Sequence, residues 1–217
     1  NMFDPAEWPQ MQPILAGQTL TIGRHGRPDP LKFPATGTEI NAALPASETV
    51  RVRVMGCPTE ALAAKGADPD RWEVVPFGAE PVPAFLNSLD IFTYHYHPNW
   101  LEAFGRTVPE AMFCGRPCLL DPRLEQTFGP MASYCQPAET ADALARMAGA
   151  RAETIARADR IRRKVHAIYG AQAMGDRLTA LRGDPGDTGR QGISAPPGRV
   201  LRKIAGLYRR RAAGATG

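Results

Sequence analysis

Short runs of apolar and β-branched residues alternate with patterns of helical periodicity along most of the chain. The strand-like runs lie at residues 20–22, 50–55, 72–76, 90–95, 117–120 and 133–135. The helix-like segments lie at 36–44, 59–65, 83–89, 107–114, 140–148 and 152–169, with a weaker one reaching 181. Such alternation is typical of a parallel sheet with crossover helices on its faces. We therefore predict an α/β fold, a Rossmann-like parallel sheet flanked by helices, over residues 19–182.

The C-terminal part of the sequence differs in character from this alternating region. Residues 183–198 read GDPGDTGRQGISAPPG, a composition that predicts a flexible linker. Residues 199–217 place Val200, Ile204 and Leu207 on one helical face with basic residues around it. We therefore expect a flexible linker followed by a basic amphipathic tail helix.

Charge is unevenly distributed along the chain. Its 217 residues include 26 Lys and Arg against 22 Asp and Glu, but from Arg199 onward there are six basic residues and no acidic one. Residues 1–198 are therefore slightly acidic, and we expect no nucleic-acid partner. The tail suits an anionic membrane surface, with a solvated tail as the alternative. No apolar run of 18 residues or signal-peptide pattern is visible, so we expect a cytoplasmic protein, peripheral on the inner face of the membrane if the tail binds there.

Cysteine spacing gives no metal or disulfide pattern. The four cysteines, Cys57, Cys114, Cys118 and Cys135, are too few for a disulfide scaffold in a chain of this size. Cys114 and Cys118 have no second pair at metal-binding spacing. We therefore predict buried, inert thiols and no metal site.

The loop after the first predicted strand suits a phosphate group. In an open parallel sheet, ligands bind at the carboxyl ends of the strands. The first run is followed by Gly23, Arg24 and, further on, Lys32. Glycine allows close backbone approach and the two cations supply charge. The alternative is a basic surface loop without a ligand, and His25 is open to either interpretation.

Two glutamates follow the fourth predicted strand. Glu102 lies in the loop after that strand, and Glu110 lies in the first turn of the next helix. Thr107-Val108-Pro109-Glu110 also fits a helix capping box, so capping is the alternative role for Glu110. His95 and His97 come directly after the strand, and both a structural role and ligand contact are open for them.

The segment from Glu102 to Cys118 reads EAFGRTVPEAMFCGRPC. It resembles the motif E-G-F-G-L-x-x-x-E-A-M-A-x-G-x-P-V of the donor-binding domain in retaining glycosyltransferases of the GT-B fold, family 4. The sequence Ile22-Gly23-Arg24 followed by Lys32 is similar to that family's phosphate-binding loop.

Further segments agree with this resemblance. Residues 75–78 are similar to the strand and turn before the donor base in the family, and residues 85–92 are similar to its L-x-x-A-D-V-F step. Residues 1–9 are similar to its hinge between two domains. The resemblance thus implies an interdomain hinge or linker at 1–18 and the donor-binding domain at 19–182.

The resemblance implies a role for each matching residue. Arg24 and Lys32 would neutralise the diphosphate of the donor, and Glu102 would hold the sugar hydroxyls; these three are the implied catalytic residues. Glu110 would accept hydrogen bonds from the ribose hydroxyls. Backbone N–H groups near a helix N-terminus would add to the charge stabilisation. The remaining implied donor-binding residues are Gly23, Phe104, Gly105, Arg106 and Thr107.

The implied function is that of the C-terminal half of a GT-B fold. Such a domain belongs to a retaining glycosyltransferase that transfers a sugar from a nucleotide-diphosphate sugar to a glycan or lipid-linked acceptor, without a metal or further cofactor. Its partners would be the nucleotide-sugar donor and an N-terminal acceptor-binding domain, without which we expect weak nucleotide binding and no transfer. The alternatives are a non-catalytic nucleotide-binding or interaction module of the same fold, and another GT-B activity such as a sugar epimerase or phosphorylase.

Overall fold

The computed structural model describes residues 3–102 and 104–181. The chain divides into two compact units with the boundary after Asp176. The first unit contains the sheet, and the described residues of the second, 177–181, are helical. The predicted linker at 183–198 and the predicted tail helix at 199–217 lie outside the described residues.

Six parallel strands form one sheet, which confirms the predicted Rossmann-like α/β fold. The strands are β1 Leu20–His25, β2 Val50–Met55, β3 Glu73–Val75, β4 Ile91–Tyr94, β5 Cys118–Leu120 and β6 Ser133–Tyr134. Their order across the sheet is β3-β2-β1-β4-β5-β6, and each neighbouring pair is parallel. The order reverses between β1 and β4, and ligands of open α/β sheets bind at such a reversal, outside the carboxyl ends of the strands.

Eight α-helices lie in the described part of the chain. They are α1 Gly37–Ala43, α2 Thr59–Ala63, α3 Val82–Asn87, α4 Thr107–Phe113, α5 Glu125–Phe128, α6 Thr140–Gly149, α7 Arg151–Tyr169 and α8 Ala171–Leu181. The start of α1 is fixed by a capping box, in which Thr36 N donates to Glu39 Oε2 over 3.0 Å and Glu39 N donates to Thr36 Oγ1 over 3.3 Å. The sequence does not predict α5, because four residues are too few to show helical periodicity.

Strand β1 is longer than the sequence predicts. The apolar run ends at Ile22, but the strand continues to His25, and every residue of it pairs with β2. Gly23 and Arg24 therefore lie in the strand and not, as predicted, in the loop after it. The packing explains the glycine, because a Cβ on Gly23 would lie 2.1 Å from the carbonyl oxygen of Arg53 in β2.

The core has two apolar clusters, to which alternate residues of the strands contribute. Ile91 of β4 and Leu119 of β5 belong to one cluster, whereas Phe92 and Leu120 belong to the other. This alternation is expected of a parallel sheet that is covered on both faces. The helices cover the two faces of the sheet, and the loops lie at the carboxyl ends of the strands.

The described residues of the predicted hinge belong to the first unit and pack against the rest of it. Phe3 and Trp8 are buried, and Phe3 N donates to Tyr169 O over 2.9 Å. Buried Asn87 accepts from Met11 N over 2.7 Å and donates to Pro9 O over 2.9 Å. The assignment of residues 1–18 to an interdomain hinge stays a prediction.

Candidate functional site

The crevice lies at the carboxyl ends of β1 and β4, between which the sheet order reverses. It is bordered by the loop after β1, residues 26–36, and by the loop after β4, residues 95–102. The two loops are joined, since His97 N donates to Leu31 O over 3.0 Å. Residues far apart in sequence therefore meet at this edge of the sheet.

Glu102 is held in the second of these loops by three donors. Its Oε2 accepts from the Tyr94 hydroxyl over 2.8 Å and from Trp100 Nε1 over 3.2 Å, and its Oε1 accepts from Gly105 N over 3.0 Å. Partial burial would raise the pKa of Glu102, but these hydrogen bonds and the nearby Lys32 charge bring it below the usual value. The carboxylate is therefore ionised at neutral pH and fixed in orientation.

Lys32 lies close enough to Glu102 for the charge of that carboxylate to act on it. It ends a 3-10 turn, Pro30–Lys32, which begins where Asp29 Oδ1 accepts from Leu31 N over 2.9 Å. The ammonium group lies 5.9 Å from the centre of the Trp100 ring. Burial lowers the pKa of Lys32, while the negative charge of Glu102 acts in the opposite direction.

Arg24 is almost wholly buried, with 4% of its surface exposed. Its guanidinium lies between the rings of Phe33 and Tyr94, at 4.2 and 4.4 Å from their centres. Its Nη1 donates to His95 O over 2.8 Å, which ties the end of β1 to the loop after β4. Burial lowers the pKa of Arg24, and the nearby Tyr94 and Glu102 oppose that effect. Arg24 is thus a fixed cation behind the crevice rather than a side chain on an open loop.

Glu110 has a polar neighbour at each of its two oxygens. Its Oε1 accepts from Arg106 Nε over 2.9 Å, and its Oε2 lies 3.1 Å from His25 Nε2. The predicted alternative, a capping box with Thr107, is wrong. The N-cap residue of α4 is Arg106, no side chain caps the helix, and Thr107 Oγ1 is buried without a hydrogen bond to the described residues. Glu110 therefore contacts β1 through one oxygen and the side chain of the N-cap residue Arg106 through the other.

Two further residues predicted to bind the donor, Phe104 and Gly105, make contacts within the protein. Phe104 packs against the rings of Phe128 and Tyr169, with centres 5.9 and 5.5 Å apart. The N–H of Gly105, which the resemblance directs at a diphosphate, donates to Glu102 instead. For Gly105 to take the predicted role, the Glu102 carboxylate has to move away.

The sequence does not single out three residues that shape this site. Tyr94 and Trp100 both bind Glu102, and Arg123 holds the loop after β4 by donating to Tyr96 O over 2.7 Å and to His97 O over 3.2 Å. Tyr94 belongs to an apolar strand pattern, in which a tyrosine is predicted to be a core residue. Arg123 belongs to the turn after β5, and only the tertiary fold brings it beside the β4 loop.

His95 is structural in this arrangement. It is 2% exposed, and its Nε2 donates to Cys135 O over 3.0 Å, since a carbonyl can only accept. Burial lowers its pKa to about 4, so the ring is neutral at pH 7. His97 is partly exposed, and its Nδ1 accepts from Asn99 N over 3.0 Å.

All four cysteines are free thiols, and Cys114, Cys118 and Cys135 are buried as predicted. Burial raises the pKa of Cys114 to about 12, which keeps the thiol protonated. Cys57 is only partly buried. The described residues hold no group of three or more His, Cys, Asp or Glu side chains that could bind a metal ion.

One Asp-x-Asp sequence, which brings two carboxylates within two residues of each other, occurs at Asp68-Pro69-Asp70. Both of its aspartates are exposed. It precedes β3, whose amino end lies at the edge of the sheet opposite the crevice. The pattern therefore lies apart from the candidate site.

Comparison with known proteins gives a fold and not a family. No protein-family model matches the sequence, and no curated protein matches it. The chain is similar to the crystal structure of HepE from Anabaena in complex with UDP-glucose, with a TM-score of 0.65 and 15% identity over 84% of this chain and 56% of that one. It is similar to TarM of S. aureus, with a TM-score of 0.63 and 13% identity over 84% and 38% of the two chains.

A third similar structure is the C-terminal domain of the glycosyl transferase group 1 family protein LpcC from Francisella tularensis. Its TM-score is 0.54 at 17% identity, and the match covers 78% of this chain and 99% of that domain. The chain spans about half the length of the HepE structure that it matches. None of the described helices is long and apolar enough to cross a membrane. At these identities the comparisons establish the fold alone: the chain shares the Rossmann-like α/β fold of these structures.

Proposed function

We propose that this chain is the donor-binding domain of a retaining, family 4-like glycosyltransferase that uses a nucleotide-diphosphate sugar. The observation that carries the proposal is the fixed Glu102 carboxylate beside Lys32, at the reversal of strand order in the sheet. UDP is the first nucleotide to test, because the similar HepE structures contain UDP-glucose or UDP.

The cations of the crevice would act on the leaving diphosphate. Breaking the bond between sugar and diphosphate leaves a positively charged sugar and a leaving group that gains negative charge. Preorganised charge near the leaving group lowers the barrier of such a step. Lys32 would contact the diphosphate, and Arg24, fixed between two aromatic rings, would supply charge from behind the loop.

The two carboxylates would orient the donor. An ionised carboxylate only accepts hydrogen bonds, and sugar hydroxyls can donate them. Glu102, held by Tyr94 and Trp100, would take hydroxyls of the transferred sugar near the reacting carbon. Glu110 would take those of the ribose. We propose that the acceptor, a glycan or a lipid-linked sugar, binds on a second domain of the same enzyme.

Titration calorimetry of the 217-residue chain with UDP, GDP and ADP tests the binding part of the proposal. We expect one of them to bind in the micromolar to millimolar range. Lys32→Ala should weaken binding by about tenfold, which corresponds to the loss of one charge-assisted hydrogen bond. Lys164→Ala is the matched control, because Lys164 is exposed on α7 and has no ion pair with the described residues. Absence of binding by the folded chain at millimolar nucleotide, or equal affinities for the two variants, would refute the proposal.

A nucleotide-binding module without transfer activity is the second candidate. It is favoured by the engagement of Gly105 N with Glu102 and by the burial of Arg24, since both expected anion donors are already bound within the protein. The two candidates differ in what Glu102 does. In a protein that joins this chain to its acceptor domain, Glu102→Gln should abolish transfer and leave UDP binding within about threefold. Undiminished transfer by that variant would favour the module.

A further inference from the structure

His25 and Glu110 form a buried contact between β1 and α4. The His25 Nε2 and Glu110 Oε2 atoms are 3.1 Å apart, and the two side chains are only 5% and 9% exposed. That distance is within hydrogen-bond range. The ring is nevertheless not aligned for a hydrogen bond, and the buried Nε2 atom makes none with the described residues. The two atoms are therefore close enough for a hydrogen bond, but the orientation of the ring does not form one.

The two partners of Glu110 differ in how firmly they are held. His25 is the last residue of β1, its backbone pairs with Met55 of β2, and its ring lies edge-on to Phe85 and Phe92 at 6.4 and 6.1 Å. Arg106 lies one turn before Glu110 on the same helix segment, and its side chain is 58% exposed. One oxygen of the carboxylate thus faces a rigid interior group, and the other faces a side chain that water can replace.

Anchoring α4 does not explain this contact. Residues 108–113 of α4 are buried, and Arg162 Nε of α7 donates to Phe113 O over 2.9 Å at the end of the helix. Burying a carboxylate costs free energy unless its oxygens are paired. A helix that is already held by its apolar face gains little from such a group, so the carboxylate is better explained by a ligand.

We propose that His25 is the positioning residue of Glu110 in nucleotide binding. It holds the Oε2 oxygen at the wall of β1, so that the Oε1 oxygen can exchange Arg106 for the ribose hydroxyls of a nucleoside diphosphate. This inference rests on the proposed function, and it adds a residue to which the family resemblance gives no role. His25 touches the carboxylate and not the nucleotide, so it acts on affinity only through Glu110.

The contact itself can be tested without any ligand. In ¹⁵N-edited NMR of the imidazole rings, His25 is assigned by the signal that disappears in His25→Gln. Because the Glu110 carboxyl lies 3.1 Å from His25 Nε2, Glu110→Gln should shift the ring ¹⁵N resonances of His25 at constant pH. Glu60→Gln on the exposed face of α2 is the control and should leave these resonances unchanged. Unchanged His25 resonances in Glu110→Gln would overturn the pairing.

Calorimetry with UDP and with inorganic diphosphate tests the positioning role. Only UDP carries a ribose, so His25→Phe should weaken UDP binding by about tenfold and leave diphosphate affinity unchanged. His25→Gln keeps a polar group with an N–H near the Glu110 carboxylate and should hold UDP affinity to within about threefold of the wild type. Equal losses for both ligands, or full UDP affinity in His25→Phe, would overturn the proposal.

The two experiments separate the failure of this inference from the failure of the proposed function. A wild-type chain that binds no nucleoside diphosphate refutes the proposed function and, with it, the ribose role of His25. A wild type that binds UDP, with His25→Phe behaving identically, refutes only the positioning role. The ¹⁵N resonances of His25 report the His25–Glu110 contact in either case.

Discussion

Replacing Arg116 tests whether the buried hydrogen bonds of this fold stabilise it as the geometry suggests. Arg116 is 1% exposed and follows α4. Its Nε donates to Cys114 O over 2.9 Å, its Nη1 to Leu89 O over 2.7 Å and its Nη2 to Gln12 O over 2.5 Å. One side chain thus joins the end of α4, the turn before β4 and the N-terminal segment. Burial lowers its pKa to about 10, so it remains charged at pH 7.

The magnitude follows from the carbonyl groups that Arg116→Met would leave unpaired. Gln12 is exposed, so water can replace the lost donor there, whereas the carbonyls of Leu89 and Cys114 belong to buried residues. Each buried acceptor left without a partner costs about 1–3 kcal/mol. Removing a buried charge returns part of this, because the guanidinium no longer has to be desolvated. We therefore expect Arg116→Met to lower the free energy of unfolding by about 2–4 kcal/mol.

Urea unfolding followed by tryptophan fluorescence and circular dichroism measures this loss as a shift of the midpoint at constant slope. Arg163→Met is the control, since Arg163 is exposed on α7 and makes no hydrogen bond or ion pair with the described residues. It should change the free energy of unfolding by less than about 0.5 kcal/mol. A loss below about 1 kcal/mol in Arg116→Met would show that the two carbonyls find other donors, and the reasoning from unpaired acceptors would be refuted.

Three further predictions follow from the same structure. Gly23→Ala should destabilise the fold by about 1–3 kcal/mol in urea unfolding, because its Cβ would press on the Arg53 carbonyl, whereas Gly175→Ala, with open space around it, should not destabilise. Stability should fall by up to about 3 kcal/mol as pH drops from 6.5 to 4, because the unfolded chain then protonates a histidine that stays neutral at His95 in the folded state, and His95→Asn should flatten this dependence. Tyr94→Phe should cost about 1–2 kcal/mol at pH 7, and the cost should shrink as acid protonates Glu102, whose folded-state pKa lies below its usual value; an equal cost at pH 3 would contradict the hydrogen bond as its source.

The fold could be predicted because its elements are short and strongly patterned. The β2 strand matches its sequence range at both ends, since Val50 to Met55 is β-rich and is followed by Gly56, whose φ of +79° suits a turn. The carboxyl end of β1 could not be predicted from the pattern. Gly23 and Arg24 read as loop residues, and only the pairing with β2 shows that the strand continues through them.

The sequence predicts which types of residue lie at the candidate site and at which edge of the sheet they lie. Strand order and the carboxyl-end rule bring Lys32 and Glu102 together without any knowledge of side-chain packing. The degree to which each charged side chain is buried could not be predicted from strand order. Arg24 is buried because Phe33 and Tyr94 close over its guanidinium, and neither ring belongs to the motif that singles the arginine out.

The contacts of Glu110 show most clearly what the spacing of residues in the sequence does not predict. Spacing pairs Glu110 with Thr107, because a capping box needs only a Ser or Thr at the N-cap and a Glu or Gln three residues later. In the structure α4 begins at Thr107 itself, so Thr107 is already helical and its hydroxyl is not placed to cap. The carboxylate then turns towards β1, where His25 is available only because that strand runs three residues beyond its apolar pattern. The start of α4 at Thr107 and the end of β1 at His25 together decide whether Glu110 caps its helix or contacts β1. Such boundaries are set by tertiary packing, and so the contacts of this glutamate had to come from the folded structure.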